Sequence, residues 1–215
     1  DEWVKPVVSV SKGIENNTGM RMSEVISETL HLDIDNIVIL SGPSHAEEVG
    51  QKYPTTVVAA CTDIERARKV QKIFSNKYFR VYSGNDVIGV EIGGSAKNVI
   101  ALAAGICNGL GYGDNTMAAL VTRGLEEIVR LGTVLRAERS TFAGLSGMGD
   151  LVVTAFSPHS RNRQVGERIG RGEKISDILN SMEMVAEGVE TAQSIHGLTK
   201  KHHIEMPICE QIYKV

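Results

Sequence analysis

The sequence predicts an α/β layer followed by an all-helical domain. Three observations carry that reading: short β-branched runs alternate with amphipathic helices up to residue 83, strand signals nearly vanish after Gly84, and helical spacing takes over from Val87. The change of period near residues 84–88 divides the chain into 1–86 and 87–215. No internal repeat or low-complexity segment competes with this division.

The elements follow in order. "PVVSVSKG" reads as a strand running into a loop, "RMSEVISETL" as a helix, and "NIVILSGPSHAEEV" as a strand, a turn and a helix start. "TTVVAAC" is a strand by its β-branched residues, "DIERARKVQKIF" a helix with Asp63 near its N-terminus, and "FRVYSG" a last short strand. Long helices are expected from Val87 to about Leu110 and from Asn115 to Leu135, then several shorter ones. In the first of these, Val99, Leu102, Ala103, Ile106 and Leu110 recur at spacings of 3 and 4 and mark a buried face.

Composition narrows the classes of function. The chain has 215 residues, 42% hydrophobic and 23% charged, with a formal net charge of −3. That balance disfavours a general nucleic-acid or membrane-surface binder and favours a small-molecule partner, while leaving room for a local basic pocket. Cys61, Cys107 and Cys209 are far apart and lack the spacing of a zinc site, which points to a reduced, cytosolic compartment and no metal. No apolar run is expected to span a membrane. The first strand begins within a few residues of Asp1, so the chain is expected to be a fragment of a longer protein.

Three places carry candidate chemistry. "SGPSHAEE" hands a strand over to a helix; Ser44 can cap that helix, and its first amides suit an anion or a cofactor amide, although a plain capped helix start fits equally. In "VEIGGSAKNVIALAAG", Gly93, Gly94, Ala101 and Ala104 share the side of Lys97, leaving room for a ligand above a lysine whose pKa burial would lower. The plainer alternative has the small face packed on another helix and Lys97 reaching water. In "GDLVVTAFSPHSRNRQVG", Ser160 can cap a helix whose first turn holds Arg161, Asn162 and Arg163, an anion-sized cluster or a solvated basic turn. "GLGYGD" follows a helix rather than a strand, does not match GxGxxG, and reads as a helix end and turn.

"SKG", "SGPSHAEEV", "VIGVEIGGSAKNVIALAAG", "GMGDLVVTAFSPHSRNRQVG" and "VAEGVETA", in that order and at those intervals, resemble the bacterial-type NAD(P)-dependent glycerol-3-phosphate dehydrogenases over essentially the whole chain. The resemblance implies that residues 1–86 are the C-terminal part of a Rossmann-type dinucleotide-binding domain. It implies that 87–215 form a helical, 6-phosphogluconate-dehydrogenase-like substrate domain. It further implies reversible reduction of dihydroxyacetone phosphate to sn-glycerol 3-phosphate with NAD or NADP, for phospholipid synthesis.

By that resemblance Lys97 is the catalytic base or acid, Lys12 a second lysine near substrate and nicotinamide, and Asp150 the acid beside them, with Thr154 behind. Gly42, Ser44, Ser160, Arg161 and Asn162 would meet the substrate, together with Lys12, Lys97 and Asp150. Ala46, Val185 and Glu187 would meet the cofactor, with Lys12 and Arg161. The family carries its GxGxxG turn ahead of the "SKG" strand, so these 215 residues alone are expected to bind cofactor weakly and to be inactive. A homodimer is compatible; nucleic acid is not an expected partner. Two alternatives stay open: a related two-domain β-hydroxyacid or sugar-phosphate dehydrogenase, and a non-catalytic helical dimerisation module.

Overall fold

A computed structural model describes residues 5–182 and 185–215. Strands β1 (Val7–Ser9), β2 (Ile37–Ser41), β3 (Thr55–Ala60) and β4 (Phe79–Gly84) form one sheet in the order β1-β2-β3-β4. Helices α1 (Met22–Leu30), α2 (Ala46–Gly50) and α3 (Ile64–Phe74) lie among them. Every residue of β2 is buried, because both faces of the sheet are covered. Val38 and Leu40 join Val57, Val81 and the α3 residues Ala67 and Val70 on one face. Ile37 and Ile39 meet Val87 and Val90 on the other, with Ile26 of α1 against them.

The sheet departs from an all-parallel pattern at one junction. β1 runs parallel to β2 and β3 to β4, but β2 and β3 are antiparallel. The reason is length. Five-residue α2 rises about 7 Å, too little to carry the chain back along a strand of about 17 Å, so the chain re-enters the sheet in reverse. Gly42, at the exit of β2, has φ +144°, and a methyl group there would sit 3.0 Å from Val57 Cα.

Among the described residues no strand follows Gly84. Helices α4 (Val87–Gly109) and α5 (Asp114–Val134) are succeeded by α6 (Asp150–Phe156), α7 (Arg161–Gly170), α8 (Ile175–Asn180), α9 (Glu187–His202) and α10 (Pro207–Lys214). The turn at Leu110–Gly113 joins α4 to α5, with Gly111 at φ +78°. "GLSGMGD" is more than a tight turn: Leu145–Gly149 form one π-helical turn leading into α6.

The periodicity understated α4. From Val90 through Gly105 every residue is buried, so the helix has no solvated face, whereas Leu110, counted with the buried stripe, is exposed. By length and composition α4 could cross a bilayer, but 94% of its most apolar window is enclosed by the rest of the chain, the setting of a core helix.

Two pairs of glycines explain how α4 is enclosed. Methyl groups at Gly105 and Gly109 would overlap the backbone of α7 at Arg163 and Glu167, and methyls at Gly166 and Gly170 would overlap α4 at Leu102 and Ile106. Each pair is spaced by four residues, one ridge of a helix, so the backbones of α4 and α7 touch directly. Acidic side chains fasten the remaining helices. Asp86 caps α4 through Gly89 N–H at 2.9 Å and also accepts from Glu138 N–H and the Thr141 hydroxyl. Buried Glu91 accepts from Ser23 N–H at the start of α1, and buried Glu127 from Ile208 and Cys209 N–H at the start of α10.

Candidate active site

The parallel pair β1–β2 delivers two loops to the same, carboxyl edge of the sheet, where α/β layers bind ligands. The loop after β1 carries Lys12 and is pinned to α4 by Gly13 N–H donating to Ser95 Oγ at 2.9 Å. The loop after β2 carries Gly42 to His45. Its helix is capped differently from expectation: α2 starts one residue later, with His45 at the N-cap position and no side-chain cap, while the Ser44 hydroxyl donates to the Gly42 carbonyl at 3.0 Å.

Gly93 and Gly94 on α4 serve protein contacts rather than open space. A methyl at Gly93 would lie 2.5 Å from the Ser146 carbonyl oxygen, and one at Gly94 would lie 2.9 Å from Ser41 Oγ and 3.6 Å from Lys12 Cγ. The expectation of a ligand above this face is therefore corrected. Two missing side chains admit the π turn that ends at Asp150 and the stem of Lys12. Ala101 and Ala104 are fully buried.

Lys97 does not reach bulk water. It is 5% exposed and Asp150 1% exposed, with Lys97 Nζ 2.5 Å from Asp150 Oδ1. Lys12 Nζ donates to the other oxygen, Asp150 Oδ2, at 2.7 Å and lies 3.4 Å from the Gly42 carbonyl. Thr154 donates to the Asp150 carbonyl at 2.6 Å, which leaves its oxygen to accept from Lys97 at 2.6 Å. One carboxylate thus holds two ammonium groups. Burial first, and the nearby Lys12 charge second, lower the Lys97 pKa to about 8 against the opposing pull of Asp150.

The direct α4–α7 contact brings the start of α7 beside this cluster. Ser160 caps α7, accepting from Arg163 N–H at 3.2 Å. Arg161 donates to the Val185 carbonyl at 3.1 Å, and Asn162 Oδ1 accepts from Gly188 N–H at 2.8 Å, tying α7 to the first turn of α9. Glu187 starts α9, two residues before Val189, and accepts from Asn98 Nδ2 at 3.0 Å. With its carboxamide oxygen committed to Gly188, Asn162 has its amide N–H groups to offer a ligand.

These residues line one cleft of about 300 Å³: Lys12, Ser44, Ala46, Lys97, Thr154, Ser160, Arg161, Asn162, Val185 and Glu187. Asp150 lies beneath, bonded to both lysines, and Gly42 borders it through Lys12. The sequence reading missed four further lining residues, His45, Glu47, Asn98 and His159. In the sequence His45 by itself carries little signal. Its Nε2 is buried without a hydrogen-bond partner, and burial followed by the charge of Lys97 lowers its pKa, leaving a neutral imidazole at pH 7. Only adjacency to Lys97 and to Ser44 in the sequence could have flagged Asn98 and His45.

Among the described residues no three His, Cys, Asp or Glu side chains cluster as metal ligands, and all three cysteines are unpaired. The donor set, two lysines, a guanidinium and helix-start amides, suits a phosphorylated and carbonyl-bearing ligand. Ser41 Oγ, at the exit of β2, is also buried without a partner.

Residues 86–215 match the family described as NAD-dependent glycerol-3-phosphate dehydrogenase C-terminus, and residues 3–67 match its N-terminus. A relative from Lysinibacillus sphaericus named glycerol-3-phosphate dehydrogenase [NAD(P)+] is 56% identical over 97% of this chain. This chain spans 62% of that relative's length. Among solved structures, glycerol-3-phosphate dehydrogenase from Coxiella burnetii superposes with a TM-score of 0.91 at 35% identity, covering 97% of this chain and 63% of its own. The yeast enzyme gives 0.85 at 27% identity, with 97% and 63% coverage. The chain therefore belongs to the NAD-dependent glycerol-3-phosphate dehydrogenase family.

Proposed function

We propose that this chain supplies the proton-transfer and triose-phosphate site of an enzyme that interconverts dihydroxyacetone phosphate and sn-glycerol 3-phosphate with NAD or NADP. The observation that carries the reading is the shared carboxylate: Asp150 holds Lys12 and Lys97 together while the Lys97 pKa falls to about 8. A lysine near neutrality can both take and return a proton. The nicotinamide, when bound, accepts or gives the hydride at the alcohol carbon.

In oxidation, neutral Lys97 Nζ takes the hydroxyl proton as the carbon–hydrogen bond breaks; in reduction the ammonium returns it to the carbonyl oxygen. Lys12 stabilises negative charge on that oxygen, and Asp150 and Thr154 fix the Lys97 amine. Ser160, Arg161 and Asn162 at the start of α7 would take the phosphate and a substrate oxygen, with Gly42 and Ser44 facing the same ligand. Ala46, Val185 and Glu187, with Lys12 and Arg161, would hold the cofactor. The unpartnered His45 Nε2 supports a polar occupant in this cleft.

The division at residues 86 and 87, a homodimeric assembly, a cytosolic setting and supply of phospholipid synthesis belong to the same proposal. The unpaired cysteines support a reducing compartment. The test is turnover by the full-length protein with dihydroxyacetone phosphate against β-hydroxy acids and other sugar phosphates. The expected result is selective use of the triose phosphate and a loss of about 100-fold or more in kcat for Lys97→Ala. Preference for a β-hydroxy acid, or an unchanged Lys97→Ala variant, overturns the proposal.

A further inference from the structure

Between two stretches that line the cleft, residues 66–80 hold six Lys and Arg and no Asp or Glu, in a chain whose formal net charge is −3. The flanking carboxylates are already used: Asp63 pairs with Arg66 and Glu65 with Arg68. Lys72, Lys77 and Arg80 make no ion pair among the described residues, and they border one shallow depression between the end of α3 and the start of β4. Lys77 and Arg80 lean over the rings of Tyr78 and Tyr82, at 5.4 and 5.0 Å.

A second depression adjoins the first, sharing Asn76 and Tyr78 with it. It is lined by Val49, Tyr53, Phe74 and Phe79, with Lys52 at its edge. Tyr53, Phe74, Tyr78 and Tyr82 are exposed, and Ile73 projects with 74% of its surface in water. β4 is the outer strand of the sheet, and charge on an outer strand commonly guards against pairing with another chain. That role accounts for Arg80 but gives no reason for Ile73, Phe74 and Tyr53 to be exposed beside it.

We propose that this face docks on an anionic lipid bilayer, with lipid phosphates on Lys72, Lys77 and Arg80 and with Ile73 and Phe74 entering the acyl boundary. The charge complement is cationic against an anionic surface, and tyrosines at the border suit the headgroup level. Apolar tips projecting beside unpaired cations fit a bilayer better than a nucleic acid, whose phosphates would meet the cations and leave Ile73 in water.

Sedimentation of this chain with phosphatidylcholine vesicles, with and without phosphatidylglycerol, tests the proposal. Binding is expected only with phosphatidylglycerol, and release is expected at high salt. K72Q/K77Q/R80Q should lower partitioning about 100-fold, near fivefold for each cation. I73S should lower it about tenfold at unchanged charge, and unchanged thermal melting of both variants establishes that the fold is intact. Equal sedimentation with neutral vesicles, no sedimentation with either, or a triple variant that still binds overturns it. So does retention by double-stranded DNA that matches vesicle binding and ignores I73S.

Discussion

Lys97 Nζ stands 2.5 Å from Asp150 Oδ1 inside the protein, yet burial and Lys12 bring its pKa down to about 8. Burial and the Lys12 charge outweigh the ion pair, so the amine is easier to deprotonate than a free lysine. In the proposed reaction, alcohol oxidation would use the neutral amine and carbonyl reduction the ammonium. In the full-length protein, kcat for oxidation should therefore rise through about pH 8 and level off, while kcat for reduction falls across the same range. Steady-state profiles in both directions check this, and profiles that are flat there contradict it.

The same shift has a thermodynamic side. In the unfolded chain Lys97 titrates at the ordinary 10.5 and in the fold at about 8, so between these values the unfolded state binds the extra proton. Stability from this group consequently rises as pH climbs from about 8 to 10.5, by at most about 1.4 kcal/mol per unit. Below pH 8 both states are protonated and the slope disappears. Denaturant unfolding of the native chain and of Lys97→Met across that range should differ by this slope, which the methionine variant lacks.

Asp150→Asn removes the anion that holds the Lys97 pKa up. The oxidation limb should then move to lower pH, because burial and Lys12 act unopposed. The fall in kcat should be about 100-fold, since neither lysine keeps its fixed partner. A limb that moves to higher pH would show that Asp150 does not act on Lys97 as described.

Gly166→Ala places a methyl against the Leu102 carbonyl of α4, where two backbones meet. The expected cost is about 1–3 kcal/mol, read as a lower Tm and an earlier denaturant midpoint. Gly172→Ala has open space but a φ of +91° and should cost less, through backbone strain alone. Equal melting of Gly166→Ala and the native chain would mean that the helices are not in contact there.

Much of the cleft's lining could be read from residue order, and its physical basis could not. Helical geometry gave Lys97 its small-residue neighbours, but a helical wheel says which side a glycine faces and not what fills the space. Gly93 and Gly94 turned out to admit Ser146 and the stem of Lys12. Asp150 is 53 residues from Lys97, and the contact depends on the π turn that Gly93 admits. The α4 and α7 glycine spacings are visible separately, yet which helix meets which is a tertiary match. Likewise the antiparallel β2–β3 pair depends on how short α2 is, and Ser44 misses the cap because α2 starts one residue later, with His45 at its N-cap.

The seam of four glycines between α4 and α7 sets backbone directly against backbone, with Leu102 and Val165 packed in the same interface. Where helices meet through side chains alone, swapped rotamers let them slide; backbone contact at four glycines narrows that freedom. In the proposed reaction the separation between the Lys97 amine and the head of α7 would act as a ruler, set for molecules whose reacting carbon and anionic end match it.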